Sequence, residues 1–173
     1  MHETIDTILT TLAEIKHFSL ATVDQEGNPW VVALSLTVDD QLRLIWVSRV
    51  DTEHSTNIRR QPNVSACVFR KTEQSDEFGF YCKALAHEVI DLEELSHCLA
   101  ARYSRNGKPQ PIAAEILDIS PFRLYVAEIT EAWHNDSSHV KQPIDLDTTR
   151  ERAKQCFPGY KTLTTGLNPG TTD

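Results

Sequence analysis

Three apolar, β-prone stretches follow one another with only short turns between them: His17 to Val23, Trp30 to Val38 and Leu42 to Ser48. Parallel neighbours need crossovers of a dozen or more residues, so a doubly wound parallel sheet cannot be built from this region. DQEGNP makes the first turn and DDQ the second, the layout of an antiparallel meander. Short loops between neighbouring strands favour a barrel or curled sheet. Only the segments 53–60 and 91–105 could serve as crossovers.

The remaining segments fit that frame. Ile5, Ile8, Leu9, Leu12 and Ile15 recur at helical spacing, which predicts a helix over 4–16. Asn63 to Phe69 reads as a fourth strand, Phe78 to Ile90 as a fifth and Phe122 to His134 as the last, closing the sheet. Asp91 with Glu94 has capping-box character, and Leu92, Leu95 and Leu99 repeat helically up to Arg105, where NGKPQP stops the helix. The expected fold is α+β and mostly β, an antiparallel split β-barrel of six to seven strands with flanking helices. The expected domain is 1–140, followed by a C-terminal extension over 141–173 with one short helix near Thr148 to Cys156 and a partly disordered, frayed end from about Thr162.

The stretch from Trp46 to Phe69 concentrates the polar chemistry. Thr52 reads as an N-cap, a helix follows over 53–60, and Pro62 stops it. The N-terminus of such a helix offers free N–H groups and the positive end of its dipole, and Ser48, Arg49, Thr52, Ser55 and Asn57 add donors beside it. A phosphate fits those groups; a capped surface helix with solvated charges accounts for them equally. Arg43, Arg49, His54, Arg59, Arg60, Arg70 and Lys71 fall in the same window, and solvated flanks of a sheet would explain them too.

Composition narrows the function classes. At net charge −8, binding to nucleic acid or to an anionic membrane surface is disfavoured, because such binding needs an excess of Lys and Arg. No apolar run approaches the roughly 20 residues that span a bilayer, and the acidic start lacks the order of a signal peptide, so a cytoplasmic location is expected. The four cysteines, Cys67, Cys82, Cys98 and Cys156, form no CxxC pair and are expected reduced. No metal site is expected: His134 and His139 have the wrong spacing, and His87 and His97 read as structural or exposed. GxSxG, GxGxxG and Walker patterns are absent, and no catalytic residue is assigned. Trp30 and Trp46 read as core or interface aromatics.

The run FSLATVDQEGNPWVVALSLTVDDQLRLIWVSRVDTEHSTNIRRQPNVSACVF, continued by FYCKALAHEV and FRLYVAEITEAWHND, resembles the pyridoxamine 5′-phosphate oxidase-like family of split barrels. The resemblance covers about Phe18 to Asn135. It rests on ATVDxxGxP at Ala21 to Pro29, NIRRQPNVS at Asn57 to Ser65, and a late strand ending in Trp133. It implies an FMN cofactor held in grooves at a homodimer interface. Val32, Ala33, Leu34 and Ser35 would then face the isoalloxazine edge, with Ser48, Arg49, Thr52, His54 and Asn57 at the phosphate and Trp133 against the cofactor region. Glu53-His54 stands where the oxidases proper have Arg-Lys, Tyr81 or a neighbour where they commonly have Gln, and no C-terminal Arg-x-His pair occurs.

Two functions remain open. One is a flavin-dependent oxidoreductase acting on a small-molecule substrate, in which the cofactor carries the redox step and no acid or base motif is needed. The other is a binding or sensing module of the same fold that holds flavin or haem without turnover, or has lost its cofactor.

Overall fold

The computed structural model describes residues 2–72, 75–106, 113, 117, 120–135 and 140–157. The expected helix stop at NGKPQP, His139 and the expected frayed end lie outside these residues. The elements in chain order are α1 (His2–Glu14), β1 (His17–Val23), β2 (Pro29–Ser35), β3 (Thr37–Val38), β4 (Leu44–Arg49), α2 (Glu53–Arg60), β5 (Asn63–Thr72), β6 (Ser75–Glu88), α3 (Leu92–Asn106), β7 (Phe122–Asn135), β8 (Lys141–Pro143) and α4 (Leu146–Cys156). All strand pairings are antiparallel, and the strands follow the order β2-β1-β5-β6-β7-β4-β3, with β8 added to β7. The fold is an α+β split barrel.

Two readings of the sequence are corrected. The stretch from Trp30 to Val38 is two strands rather than one. It breaks at Leu36, whose side chain turns into the core at 3 % exposure while its N–H still bonds the carbonyl of Lys16. β2 lies at one end of the strand order and β3 at the other, so consecutive residues form both edges of the sheet. The meander is also incomplete, because β4 takes β7 as its long partner, from Leu44 opposite Ala127 to Arg49 opposite Phe122, and meets β3 at only two positions. A central strand needs two ladders, and the alternating apolar faces of β7 supply the second.

Alternation along the strands divides the apolar residues between two faces. Leu44 and Trp46 of β4, Tyr125 and Ala127 of β7, and Phe80, Cys82 and Ala84 of β6 point into the main core. There Trp46 stacks on Tyr125 at 5.7 Å and meets Phe18 edge-on at the same distance. Helix α1 closes this core with Ile5, Ile8, Leu9 and Leu12, the residues marked by the helical spacing. Ala153 of α4 and the following Phe157 enter the same core, so the C-terminal segment packs with the barrel.

The opposite parity builds a second core. Ile45 of β4 with Leu124 and Val126 of β7 face outward, and α3 covers them with Leu95, Cys98, Leu99 and Ala101. Asp91 starts that helix by accepting the N–H groups of Glu93 and Glu94 at 3.0 and 2.9 Å. The β3–β4 turn is equally determined: Asp39 Oδ1 accepts the N–H groups of Gln41 and Arg43, and Leu42 takes a left-handed φ of 59° so that its side chain can be fully buried. No helix among the described residues is long and apolar enough to cross a membrane.

Candidate functional site

The part of the outer face that α3 leaves uncovered carries a cavity of about 550 Å³. Two transverse rows of side chains form it. One runs across the sheet from Ala33 through Ser19, Cys67 and Tyr81 to Trp133; the other runs from Val31 through Ala21, Ser65 and Lys83 to Glu131. The positions on β1 and β5 are Ser, Ala, Ser and Cys, small enough to make a flat floor. The positions on β6 and β7 are an aromatic pair, a lysine and Glu131; Tyr81, Trp133 and Lys83 make a wall, and Lys141 of β8 completes the lining.

The lysines set the charge of this cavity in a chain that is otherwise acidic. Lys141 Nζ lies 4.3 Å from the ring centroid of Tyr81, and Lys83 Nζ lies 5.6 Å from that of Trp133 while bonding Glu131 Oε1 at 3.1 Å. Each ammonium lies against the negative face of a ring, which positions it; Lys83 is in addition ion-paired with Glu131. Tyr81 lies over Gly79, where an added Cβ would come within 2.8 Å of the phenol oxygen, so only glycine leaves the ring where it is. Asn135 Nδ2 donates to that oxygen at 3.4 Å. The Cys67 thiol is pushed up by burial, with Lys141 pulling the other way. Such a site can hold a flat ring against the floor and an acidic substituent at the lysines.

The residues singled out in the sequence separate into two groups. Trp133 lines the cavity, Ala33 stands in its first row and exposed Ser35 shares that parity, whereas Val32 and Leu34 turn inward against the main core. None of Ser48, Arg49, Thr52, His54 and Asn57 lines the cavity. Ser48 Oγ and His54 Nε2 are 2.6 Å apart and both residues are buried; burial lowers the His54 pKa, so the ring is neutral at neutral pH. Asn57, 1 % exposed, donates to Thr22 Oγ1 at 3.1 Å and ties α2 to β1. Arg49 is exposed and held by Asp51 through two bonds of 2.9 and 2.7 Å.

Thr52 occupies the expected N-cap position in extended backbone, but its side chain makes no capping bond. Its hydroxyl lies instead 3.0 Å from the Arg49 carbonyl and 2.8 Å from Ser55 Oγ. The first turn of α2 is thus left without a side-chain cap, with Glu53 in it and Asp51 before it. Four other cations of this window are engaged as well: Arg43 by Asp39 and Glu94, Arg59 by the Val50 carbonyl, Arg70 by Glu14 and Lys71 by Glu77. Trp46 is core, while Trp30 is 46 % exposed.

Sequence reasoning missed Ser19, Ser65, Cys67, Lys83 and Lys141 as a lining. The available signal was the alternation in FYCKAL, where Phe80, Cys82 and Ala84 alternate with Tyr81, Lys83 and Leu85. Small residues at the facing positions of β1 and β5 carry no signal until the register is known.

Solved structures with the same fold include a haem-binding protein of Mycobacterium smegmatis, at 17 % identity and TM-score 0.69, with 85 % of this chain and 60 % of that one covered. This chain therefore spans about three fifths of that protein's length. HutZ, the haem storage protein of Vibrio cholerae, aligns at 21 % identity and TM-score 0.59, over 72 % of this chain and 88 % of that one. A Listeria innocua protein provisionally assigned as a pyridoxamine 5′-phosphate oxidase aligns at 19 % identity and TM-score 0.55, over 75 % of this chain and 95 % of that one. At these identities the likeness is one of fold. Comparison with curated protein sequences gives no match. The family model described as pyridoxamine 5′-phosphate oxidase matches residues 4–136, from the first turn of α1 to just beyond β7, and by that match the chain belongs to the pyridoxamine 5′-phosphate oxidase family.

Proposed function

We propose that the protein binds a planar, acid-bearing cofactor of the flavin or haem class on the open part of its outer sheet face. The observation that carries this reading is the pair of ring-held lysines beside a floor of Ser, Ala and Cys side chains in a cavity of about 550 Å³. A flat ring gains contact with the floor and with Trp133 and Tyr81, and its acid groups gain charge-assisted bonds from Lys83 and Lys141.

FMN is the first member of that class to test, in a flavin-dependent oxidoreductase acting on a small molecule. The family match and the uncapped start of α2, which leaves N–H groups for a phosphate, support it. In that case the flavin would supply the redox chemistry, and the chain would bind, orient and shield it. Haem binding without turnover is the second reading. It is supported by the engagement of Ser48, His54, Asn57 and Arg49 with other residues of the chain, so that Lys141, and Lys83 on exchanging Glu131 for the ligand, would meet two carboxylates. In either case Val31, Phe69 and Leu85, 64 %, 51 % and 43 % exposed on this same face, favour a homodimer that encloses the cofactor. Light scattering should give twice the chain mass of 19.6 kDa.

Titrating FMN, followed by flavin fluorescence, and haemin, followed by its Soret band, into the cofactor-free protein separates the two. Lys141→Ala and Lys83→Ala should each weaken binding of the preferred ligand by roughly 5- to 30-fold, as cation–π and charge-assisted contacts of about 1 to 2 kcal/mol imply. Arg60→Ala, at the exposed end of α2, should leave it unchanged. Binding of neither ligand would end the proposal.

A further inference from the structure

Where α3 meets the β3–β4 turn, three side chains converge. His97 Nε2 stands 3.3 Å from Asp40 Oδ1 and 3.5 Å from Asp39 Oδ2, and the three atoms lie within 4.8 Å of one another. Direct charge-assisted N–H···O bonds run about 2.7 to 2.9 Å, so these separations are long for a simple ion pair. Neither His97 Nε2 nor Asp40 Oδ1 makes a hydrogen bond of good geometry, although both atoms are buried. Buried polar atoms are normally satisfied, and two that face each other ask for a common partner. Two ligands on one tetrahedral ion, with bonds of about 2.1 Å, stand roughly 3.4 Å apart.

We propose that His97, Asp40 and Asp39 form a site for one divalent metal ion of the zinc class, which pins the β3–β4 turn to α3. One imidazole nitrogen and two carboxylate oxygens suit that ion. The surrounding groups hold the ligands in place. Asp39 Oδ1 is fixed by the N–H groups of Gln41 and Arg43, and its Oδ2 accepts Arg43 Nε at 2.8 Å while remaining open to a second partner. Arg43 also bonds Glu94 Oε1 at 2.7 Å. Asp39, Asp40 and Glu94 against the Arg43 guanidinium leave two negative charges, with Cys98 a neutral thiol pushed up to about 12 by burial. A divalent ion matches that charge. A cleft of about 330 Å³, lined by Gln41, Arg43, Asp91, Glu93, Glu94 and His97, gives room for the water that completes the coordination.

The test uses full-length protein stripped with EDTA and then titrated with ZnCl2 and with CoCl2 at pH 7.5. The expected result is one equivalent bound per chain, a tetrahedral cobalt spectrum without thiolate bands, and a higher melting temperature. Asp40→Asn, which keeps size and hydrogen bonding, should lose more than about tenfold in affinity and all of the thermal shift. His97→Gln should do the same, and Cys156→Ala should change nothing. The proposal is overturned if the unmodified protein binds no stoichiometric metal or if Asp40→Asn binds as tightly.

Discussion

The outer face of the sheet has two halves built from the same strands by different rules. Over β4 and the first half of β7, branched aliphatic residues point outward and α3 covers them. Over β1, β5 and the rest of β6 and β7, the outward positions that line the cavity are Ser, Ala, Cys, Tyr, Lys and Trp, and no helix among the described residues covers them. Ile45, Leu124 and Val126 bury apolar area and stabilise the fold. Ser19, Ala21 and Ser65 bury little, and their small size creates room instead. One half of the face is packed under a helix, and the other is left open among the described residues.

The largest expected effect lies under α3. Leu99→Ala, at a fully buried position, should cost about 2 to 5 kcal/mol in urea unfolding, whereas Leu85→Ala on the open half should cost under about 0.5 kcal/mol in dilute protein. Equal losses would mean that the open half is covered in the folded protein.

Gly79→Ala should have an intermediate effect. Its Cβ meets only the far end of the Tyr81 ring and the Asn135 amide, which can move, so stability should fall by no more than about 1 kcal/mol. The moved ring no longer shapes the wall, and cofactor affinity should fall although no lining residue has been replaced. Unchanged binding would remove Tyr81 from the site.

The smallest effect is a pH dependence, measured by thermal melting of metal-free protein. Burial opposes the charged form of Asp39, but bonds from His97 and Arg43 outweigh it and its pKa is lowered; bonding to Asp39 raises that of His97. The Asp39 contribution is present above the unfolded value of about 3.8 and is lost as pH falls through the lower folded value. The His97 contribution is present below about 6.5 and is lost as pH rises through the higher folded value. The deficit of His97→Gln should therefore be greatest between about pH 4 and 6.5 and shrink in alkali. His54 behaves oppositely: its lowered pKa destabilises the native state as pH falls below about 6.5, so replacing it should flatten the acid side. A His97 deficit independent of pH would show that α3 is held by its apolar face alone.

Much of the architecture was readable because periodicity records which face is buried. Ile5, Ile8, Leu9 and Leu12 marked α1, Asp91 marked the start of α3, and the alternation from Phe122 to His134 marked β7, although β8 follows it and β7 lies between β6 and β4 rather than closing the sheet. Pairing was not readable. Nothing in WVVALSLTV signals a break at Leu36, since no Gly or Pro interrupts it, and no local pattern says that Leu44 pairs with Ala127 rather than with a nearer strand. The phosphate-side residues were chosen for their donor groups, but composition cannot show that Ser48, His54 and Asn57 satisfy one another and Thr22 inside the protein. His97 looked unremarkable because its partners, Asp39 and Asp40, lie in a distant turn.

The break at Leu36 also bears on how the chain assembles. β2 and β3 finish opposite ends of the strand order while being separated by one residue, so bringing the two ends together carries almost no loop-closure entropy. That cost falls on the ladder joining β4 to β7, whose partners are far apart in the chain. High sequence separation between partners slows folding, so this ladder is where the transition state should gain its long-range contacts, after the β1–β2 and β5–β6 hairpins have formed. Opening the backbone beside Leu36 would leave every described ladder intact. It would nonetheless move the entropic cost to the β2 and β3 ends, exposing two unpaired strand edges at the slowest stage of folding.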